Sequence, residues 1–399
     1  MEVPCVKRAF KYRFYPSVAQ AAELSRTFGC VRKVYNLALE ARSTAWARDQ
    51  RRVSYADTSA MLTGWKQSEE LGFLAEVSSV PLQQTLRHLQ SAFTGFFTKR
   101  SGYPRFKSKR KSRASAEYTR SAFRWRDGKL TLAKMDAPLD IRWSRPLPEG
   151  TQPSTVTVSQ DRAGRWFVSI LVEAPITPLP VTDGRVGVDA GLTSLVTLST
   201  GEKVTNPKHE KKDRDRLAWA QRQTARKQKG SKNRAKANRK VARVHARITD
   251  RRRDFVHKLT TRLVQENQLI VIEDLKVGNL LKNHHLARAI SDAAWRELRE
   301  QLEYKCAWYG RELVVVDRFL PSTRTCSACG LIRERLPLDV REWTCEGCGT
   351  LHDRDVNAAN VLLAAGLAVS ACGAGVSPAW TVSVRAVGDE AGKLRRSAA

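Results

Sequence analysis

The chain has no apolar run approaching the roughly 20 residues that cross a bilayer, and its opening, Met1-Glu2-Val3-Pro4-Cys5, has no apolar leader segment. A membrane partner is therefore not expected, and cytoplasmic residence is. Eight cysteines in 399 residues are too few for a disulfide scaffold. Acids are also scarce: 40 Asp and Glu face 70 Lys and Arg, a formal net charge of +30. That excess exceeds what solubility needs and points to a polyphosphate partner, because each neutralised phosphate releases counterions. No internal repeat is present. With 42% hydrophobic residues the chain can bury a full core, and its length predicts two or three domains.

Val6 to Tyr15 alternates basic and apolar residues and reads as a strand ended by Pro16. Helical spacing follows over 19–48, 59–66 and 82–97. Residues 99–126 form a basic, Ser-rich tract that reads as a loop contacting phosphates, or else as a solvated linker. Lys129–Leu132, Thr155–Val158 and Trp166–Val172 read as strands of one small β unit, the last two joined by a turn at 161–165. Pro175, Pro178 and Pro180 mark a linker. From Lys208 to Arg253 the chain is basic and helical, broken at Lys229-Gly230-Ser231-Lys232-Asn233, which predicts an antiparallel hairpin seated on Leu217, Val241, Val244 and Ile248. Its excess charge is of one sign, not a salt-bridge alternation, so nucleic-acid contact is favoured over a solvated face. Helix over 255–264, strand at 269–272, helix over 298–311, strand at 313–316 and a final helix over 357–367 follow.

Three carboxylates stand where an α/β sheet can bring distant residues together: Asp189 in Gly187-Val188-Asp189-Ala190-Gly191, Glu273 after Leu269-Ile270-Val271-Ile272, and the Asp353/Asp355 pair before Ala358-Ala359. Hydrolysis of a phosphodiester by two divalent ions needs such convergence, and hard oxygen ligands suit Mg²⁺. Singly, each acid is equally a strand-end or helix-capping residue. Cys326/Cys329 and Cys345/Cys348 are two Cys-x-x-Cys pairs with 15 residues between them, a pattern that closes an S₄ shell around one structural Zn²⁺. Four sulfurs leave His352 no vacancy, so it is expected as a surface or neighbouring polar residue. Cys5, Cys30, Cys306 and Cys372 are isolated and read as small hydrophobes or surface thiols.

The chain resembles the TnpB (OrfB) family of transposon-encoded, RNA-guided endonucleases related to type V CRISPR effectors. The resemblance lies in Gly187–Gly191, Lys227–Arg234, Asp254–Thr261, Ile272-Glu273-Asp274-Leu275, Leu302–Lys305 with Trp308-Tyr309-Gly310, the four cysteines, and Asp353-Arg354-Asp355-Val356-Asn357-Ala358-Ala359. Ala190 and Cys306 depart from the family's usual residues. The resemblance implies an α/β fold: a RuvC-like, RNase H-type nuclease domain with a zinc-ribbon insertion, preceded by a β wedge domain into which a helical recognition domain is inserted. Divided accordingly, 1–15 is the first wedge strand, 16–120 the recognition domain and 121–180 the rest of the wedge. Residues 181–325 are the nuclease domain with its basic hairpin at 208–253, 326–348 the ribbon, 349–367 the last nuclease segment and 368–399 a mobile tail.

By resemblance the catalytic acids and Mg²⁺ ligands are Asp189, Glu273 and Asp355, holding two Mg²⁺ ions. The partners implied are a guide RNA from the transposon end and double-stranded target DNA, in a prokaryotic cytoplasm or nucleoid. Tyr55, Ser59 and Gln83 match positions that resemble readers of a target-adjacent motif. Arg226, Lys227, Lys229, Lys232 and Arg234, at the hairpin bend, are expected to contact nucleic acid. Two alternatives stand beside this reading: a nuclease-inactive, RNA-guided DNA-binding repressor, and an RNA-independent transposase or DNA-binding protein.

Overall fold

The computed structural model describes residues 5–337 and 339–371, which divide into two compact units with the boundary along the chain between Ala174 and Pro175. The first unit opens with β1 (Cys5–Phe14), then α1 (Val18–Asp49), α2 (Tyr55–Gln67) and α3 (Ser79–Phe97). The starts of α1 and α2 are set by reciprocal capping boxes, Ser17 with Gln20 and Ser54 with Asp57, each satisfying backbone donors that a helix end would otherwise leave open. There follow β2 (Ala114–Thr119), β3 (Phe123–Arg126), β4 (Lys129–Leu132), β5 (Ile141–Arg142), β6 (Pro153–Gln160) and β7 (Trp166–Pro175).

Two expectations change here. The 99–126 tract is not loop throughout: Ala114–Thr119 alternates, buries Ala116 and Tyr118, and pairs along β6. Among the described residues Lys129–Leu132 pairs only with β3, in a two-stranded hairpin, whereas the main sheet runs β2-β6-β7-β1-β5. The turn at 161–165 joins β6 to β7 as predicted, with Asp161 accepting from the backbone and guanidinium of Arg165.

The second unit contains β8 (Arg185–Ala190), β9 (Ser194–Leu198), β10 (Lys203–Thr205), α4 (His209–Ala225), α5 (Lys232–Glu266) and β11 (Leu269–Glu273). It continues with α6 (Val277–Leu280), α7 (Ala287–Ala293), α8 (Trp295–Tyr309), β12 (Glu312–Val316), β13 (Glu342–Thr344), β14 (Leu351–Asp353) and α9 (Arg354–Ala371). Its sheet has the order β10-β9-β8-β11-β12: an antiparallel meander through β8, then β11 and β12 parallel to it. This is the strand order of an RNase H-type fold. The two faces of β11 are read by alternation. Ile270 and Ile272 join Val186 and Val188 beneath apolar residues of α5 and α8, while Leu269 and Val271 pack with Leu362 and Leu363 of α9.

The basic hairpin forms from α4 and α5 and is seated on Leu217, Val241, Val244 and Ile248, as the spacing predicted. Asp213, buried at its seam, faces Arg247 and Arg251. Farther along α5, the buried Lys305 of α8 donates to His257 O, Thr260 Oγ1 and Thr261 Oγ1 at 2.7–2.9 Å. Three ammonium hydrogens meet three acceptors, so two of the resemblance motifs are explained by a helix-to-helix clasp. Helix α9 begins three residues earlier than expected and reaches Ala371; residues 372–399, the rest of the expected tail, and Cys372 lie outside the described residues.

Candidate functional site

The parallel register decides where the acids fall. Leu269 pairs with Arg185, Val271 with Gly187 and Ile272 with Val188, and one further step sets Glu273 level with Asp189. The two carboxylates thus leave the carboxyl ends of adjacent strands, about 4.8 Å apart in the sheet, on the face that α9 covers. Asp355 arrives from that helix. A Cβ on Gly187 would lie 2.1 Å from Ala359 O and 2.9 Å from Leu363 N, so glycine is what allows α9 to lie on β8. Ala359 and Asp355 share a helix face one turn apart, about 6 Å, and Gly187 and Asp189 share a strand face about 7 Å apart. Seating Ala359 on Gly187 therefore carries Asp355 to Asp189.

The electrostatics record that convergence. Burial pushes Asp189 up to about 7, the charges of Asp355 and Glu273 push the same way, and Arg354 opposes them. Glu273 is raised by burial and then by Asp274. No hydrogen bond or ion pair among the described residues ends on the carboxylate of Asp189 or Glu273, and Asp355 has only Arg341 at 3.6 Å. Partly buried carboxylates without donors are what a bound cation would compensate, and all three offer hard oxygens, so the donor set fits Mg²⁺. A cleft of about 370 Å³ beside Glu273 opens among α6, α8 and the ends of β8 and β11.

Neighbouring residues of the same motifs have other work. Asp274, adjacent to Glu273, accepts from Arg299 and Arg318, and the Arg299 guanidinium holds its carboxyl below the usual carboxylate range. Asp353 caps α9, accepting from Asp355 N at 3.1 Å and Val356 N at 3.0 Å, and pairs with Lys203. Burial raises its pKa, but Lys203 and the capped amides outweigh this and hold it low. Buried Arg354 donates to Pro337 O, and buried Asn357 donates to Thr325 O and accepts from Ser327 N, either side of Cys326. Sequence reasoning missed these two ties. The signal was present in the motif Asp353–Ala359, whose buried polar residues need partners.

Cys326, Cys329, Cys345 and Cys348 place their sulfurs within 4.8 Å of one another. The spacings Cys326–Cys348, 3.7 Å, and Cys329–Cys345, 3.6 Å, are close to the edge of about 3.8 Å that a tetrahedron of 2.3 Å zinc–sulfur bonds requires. The two pairs fold alike. In each, the glycine just past the second cysteine, Gly330 or Gly349, has positive φ and donates its N–H back to the carbonyl of the first. The four-sulfur donor set fits Zn²⁺. His352 is not on the surface, as one expectation had it. It is 8% exposed, with Nε2 3.0 Å from Cys326 Sγ and its ring tilted against Trp343, because β14 pairs with β13 and turns it inward. Cys30 and Cys306 are buried and Cys5 is exposed.

The remaining candidates divide. Tyr55, Ser59 and Gln83 come together across α2 and α3, with Tyr55 Oη and Ser59 Oγ within 3.3 Å of Gln83 Oε1. Arg226, Lys227, Lys229 and Lys232 are exposed at the hairpin bend, but half-buried Arg234 turns inward and donates to Lys227 O at 2.7 Å, closing the bend itself.

Residues 167–284 match the OrfB_IS605 family, described as a probable transposase, residues 295–362 a Cas12f1-like TNB domain, and residues 1–51 a helix-turn-helix domain. From Cys5 onward that last segment is a strand followed by one unbroken 32-residue helix. The chain is 74% identical over 94% of its length, and 92% of the other, to a Streptomyces pristinaespiralis protein named "Putative RNA-guided DNA endonuclease". An Escherichia coli K12 protein of the same name with the suffix InsQ is 35% identical over 92% of this chain and 94% of that one. Among solved structures, the chain resembles the protein of a Cas12f1–sgRNA–target DNA complex with a TM-score of 0.57, over 90% of this chain and 98% of that one; at 14% identity this is a likeness of fold.

Proposed function

The chain belongs to the TnpB (OrfB) family, and from that premise we propose that it is an RNA-guided DNA endonuclease that cleaves DNA beside a short target-adjacent motif. The observation that carries the reading is the convergence of Asp189, Glu273 and Asp355, two level on parallel strands and the third delivered by α9. Those three carboxylates would hold two Mg²⁺ ions, which supply an activated water and stabilise the leaving oxygen when bound. The protein's part is to keep the acids aligned. Asp353 caps the helix that carries Asp355, Arg354 and Asn357 tie that helix to the ribbon, and Asp274 is occupied by arginines and so kept from the metal ligands.

The guide RNA would come from the transposon end, and double-stranded DNA would be the target. The exposed cations Arg226, Lys227, Lys229 and Lys232 would grip phosphates, while Tyr55, Ser59 and Gln83 would read the motif, base pairing reading the rest. The names of the relatives and the charge of +30 support this reading.

Asp189→Ala, Glu273→Ala and Asp355→Ala should each abolish Mg²⁺-dependent cleavage of a matched target and leave guided DNA binding nearly intact, since these acids contact no base. Asp353→Ala, which loses a cap worth about 0.5–2 kcal/mol, should still cleave. Cleavage retained in Asp355→Ala but lost in Asp353→Ala would displace the site. A purified protein carrying no discrete RNA would remove the guided reading.

A further inference from the structure

Residues 98–113 link α3 to β2 without regular structure, yet they are held at several points. Arg100 N and Ser101 N both donate to Gly95 O, at 2.8 and 3.0 Å, and Tyr103 Oη meets Ser43 Oγ at 2.9 Å. The side chain of Asn36 grips Lys107 from both sides: Lys107 N donates to Asn36 Oδ1 at 2.8 Å, and Asn36 Nδ2 donates to Lys107 O at 2.9 Å. The Lys107 ammonium lies 3.9 Å from the centroid of the Tyr35 ring, and burial lowers its pKa to about 8.

From this anchored loop and the end of α3, aromatic rings face solvent. Phe97 is 64% exposed, Phe106 60% and Tyr103 47%. Phe97 and Tyr103 flank the same half-buried ring, Phe96, at 5.4 and 5.3 Å. Between 99 and 113 the sequence has eight Lys and Arg and no acid. A protein partner would favour a contact core depleted of charge, and a membrane an amphipathic helix. Rings interleaved with cations of one sign match a strand whose bases are unstacked and whose phosphates flank them.

We propose that residues 97–113 form a stacking platform for unpaired nucleobases. Phe106 and the Phe97/Tyr103 pair take base faces, and Arg105, Lys109 and Arg110 take the adjoining phosphates. The proposal rests on the nucleic-acid reading above and adds the form of strand recognised. Because the loop is anchored before binding, little ordering entropy is lost when a strand arrives.

The test uses full-length protein stripped of nucleic acid, with fluorescein-labelled oligo(dT) and oligo(U) of about 12 nucleotides and a blunt duplex, titrated across a salt series. Phe97→Leu/Phe106→Leu should weaken single-strand binding about tenfold, leave the salt slope unchanged and leave duplex binding unchanged. Phe106→Trp should keep the affinity. Arg105→Gln/Arg110→Gln should instead flatten the slope, by roughly 0.7 per lost contact on single strands. The substituted rings are exposed, and an unchanged melting temperature checks the fold. A loss with oligo(dT) alone, oligo(U) alone or both supports the platform and identifies the strand. Leucine variants that bind single strands like the parent, or lose duplex binding equally, overturn the platform while leaving guided cleavage standing. A parent protein that binds none of the probes overturns both.

Discussion

Asp189 shows how one residue can work against the fold that places it. Its pKa of about 7 exceeds the model-peptide value of about 3.9, so the folded chain holds this proton more tightly than the unfolded chain does. Stability from this group is therefore greatest below pH about 4 and is lost as pH rises toward 7. Asp189→Asn removes the repulsion. In metal-free protein at pH 8 it should raise the melting temperature, by roughly 2–4 °C per kcal/mol relieved, and the gain should shrink at pH 5. Adding Mg²⁺ should stabilise the parent more than the variant. Calorimetry at the two pH values decides it: a variant melting below its parent at pH 8 would mean the carboxylate is compensated by the protein alone.

At the scale of elements, the site depends on how closely α9 approaches the sheet. Two glycines permit it: Gly187 under Ala359, and Gly366, where a Cβ would lie 2.4 Å from Val271 Cγ2. Gly187→Ala puts its methyl against helix backbone, which cannot rotate aside. It should cost about 1–3 kcal/mol and lower cleavage by moving Asp355, although no acid is altered. Gly29→Ala in α1, which meets nothing within 4 Å, is the control and should be neutral or stabilising by up to about 1 kcal/mol. Equal melting temperatures and equal cleavage for Gly187→Ala and its parent would show that the helix is free to shift.

Across the nuclease unit as a whole, the ribbon and the acids are mechanically joined. Asn357 bonds on both sides of Cys326, and Arg354 holds the loop at Pro337, so folding of the cysteine cluster bears on the helix that carries Asp355. Purified protein should contain about one zinc per chain, and chelation or Cys345→Ser should lower both melting temperature and cleavage, because metal binding is coupled to ribbon folding. Metal analysis beside both assays is the check. Zinc-free protein that melts and cleaves like the parent would refute a structural metal. No helix among the described residues is long and apolar enough to cross a membrane.

What the sequence determined by itself is what depends on neighbours along the chain. The seat of the basic hairpin, the strands β1, β6 and β7, the 161–165 turn and the two Cys-x-x-Cys pairs were legible, because helical periodicity, strand alternation and ligand spacing are local properties. Tertiary structure decided the rest. Glu273 stands level with Asp189 only through a parallel pairing of strands about 80 residues apart, and a one-residue slip would turn Glu273 to the other face. The buried placements of His352, Lys305 and Asn357, and the inward turn of Arg234, depend on partners that no local pattern names. A polar residue is exposed by default, and only the packed fold supplies the acceptors and donors that make burying it affordable.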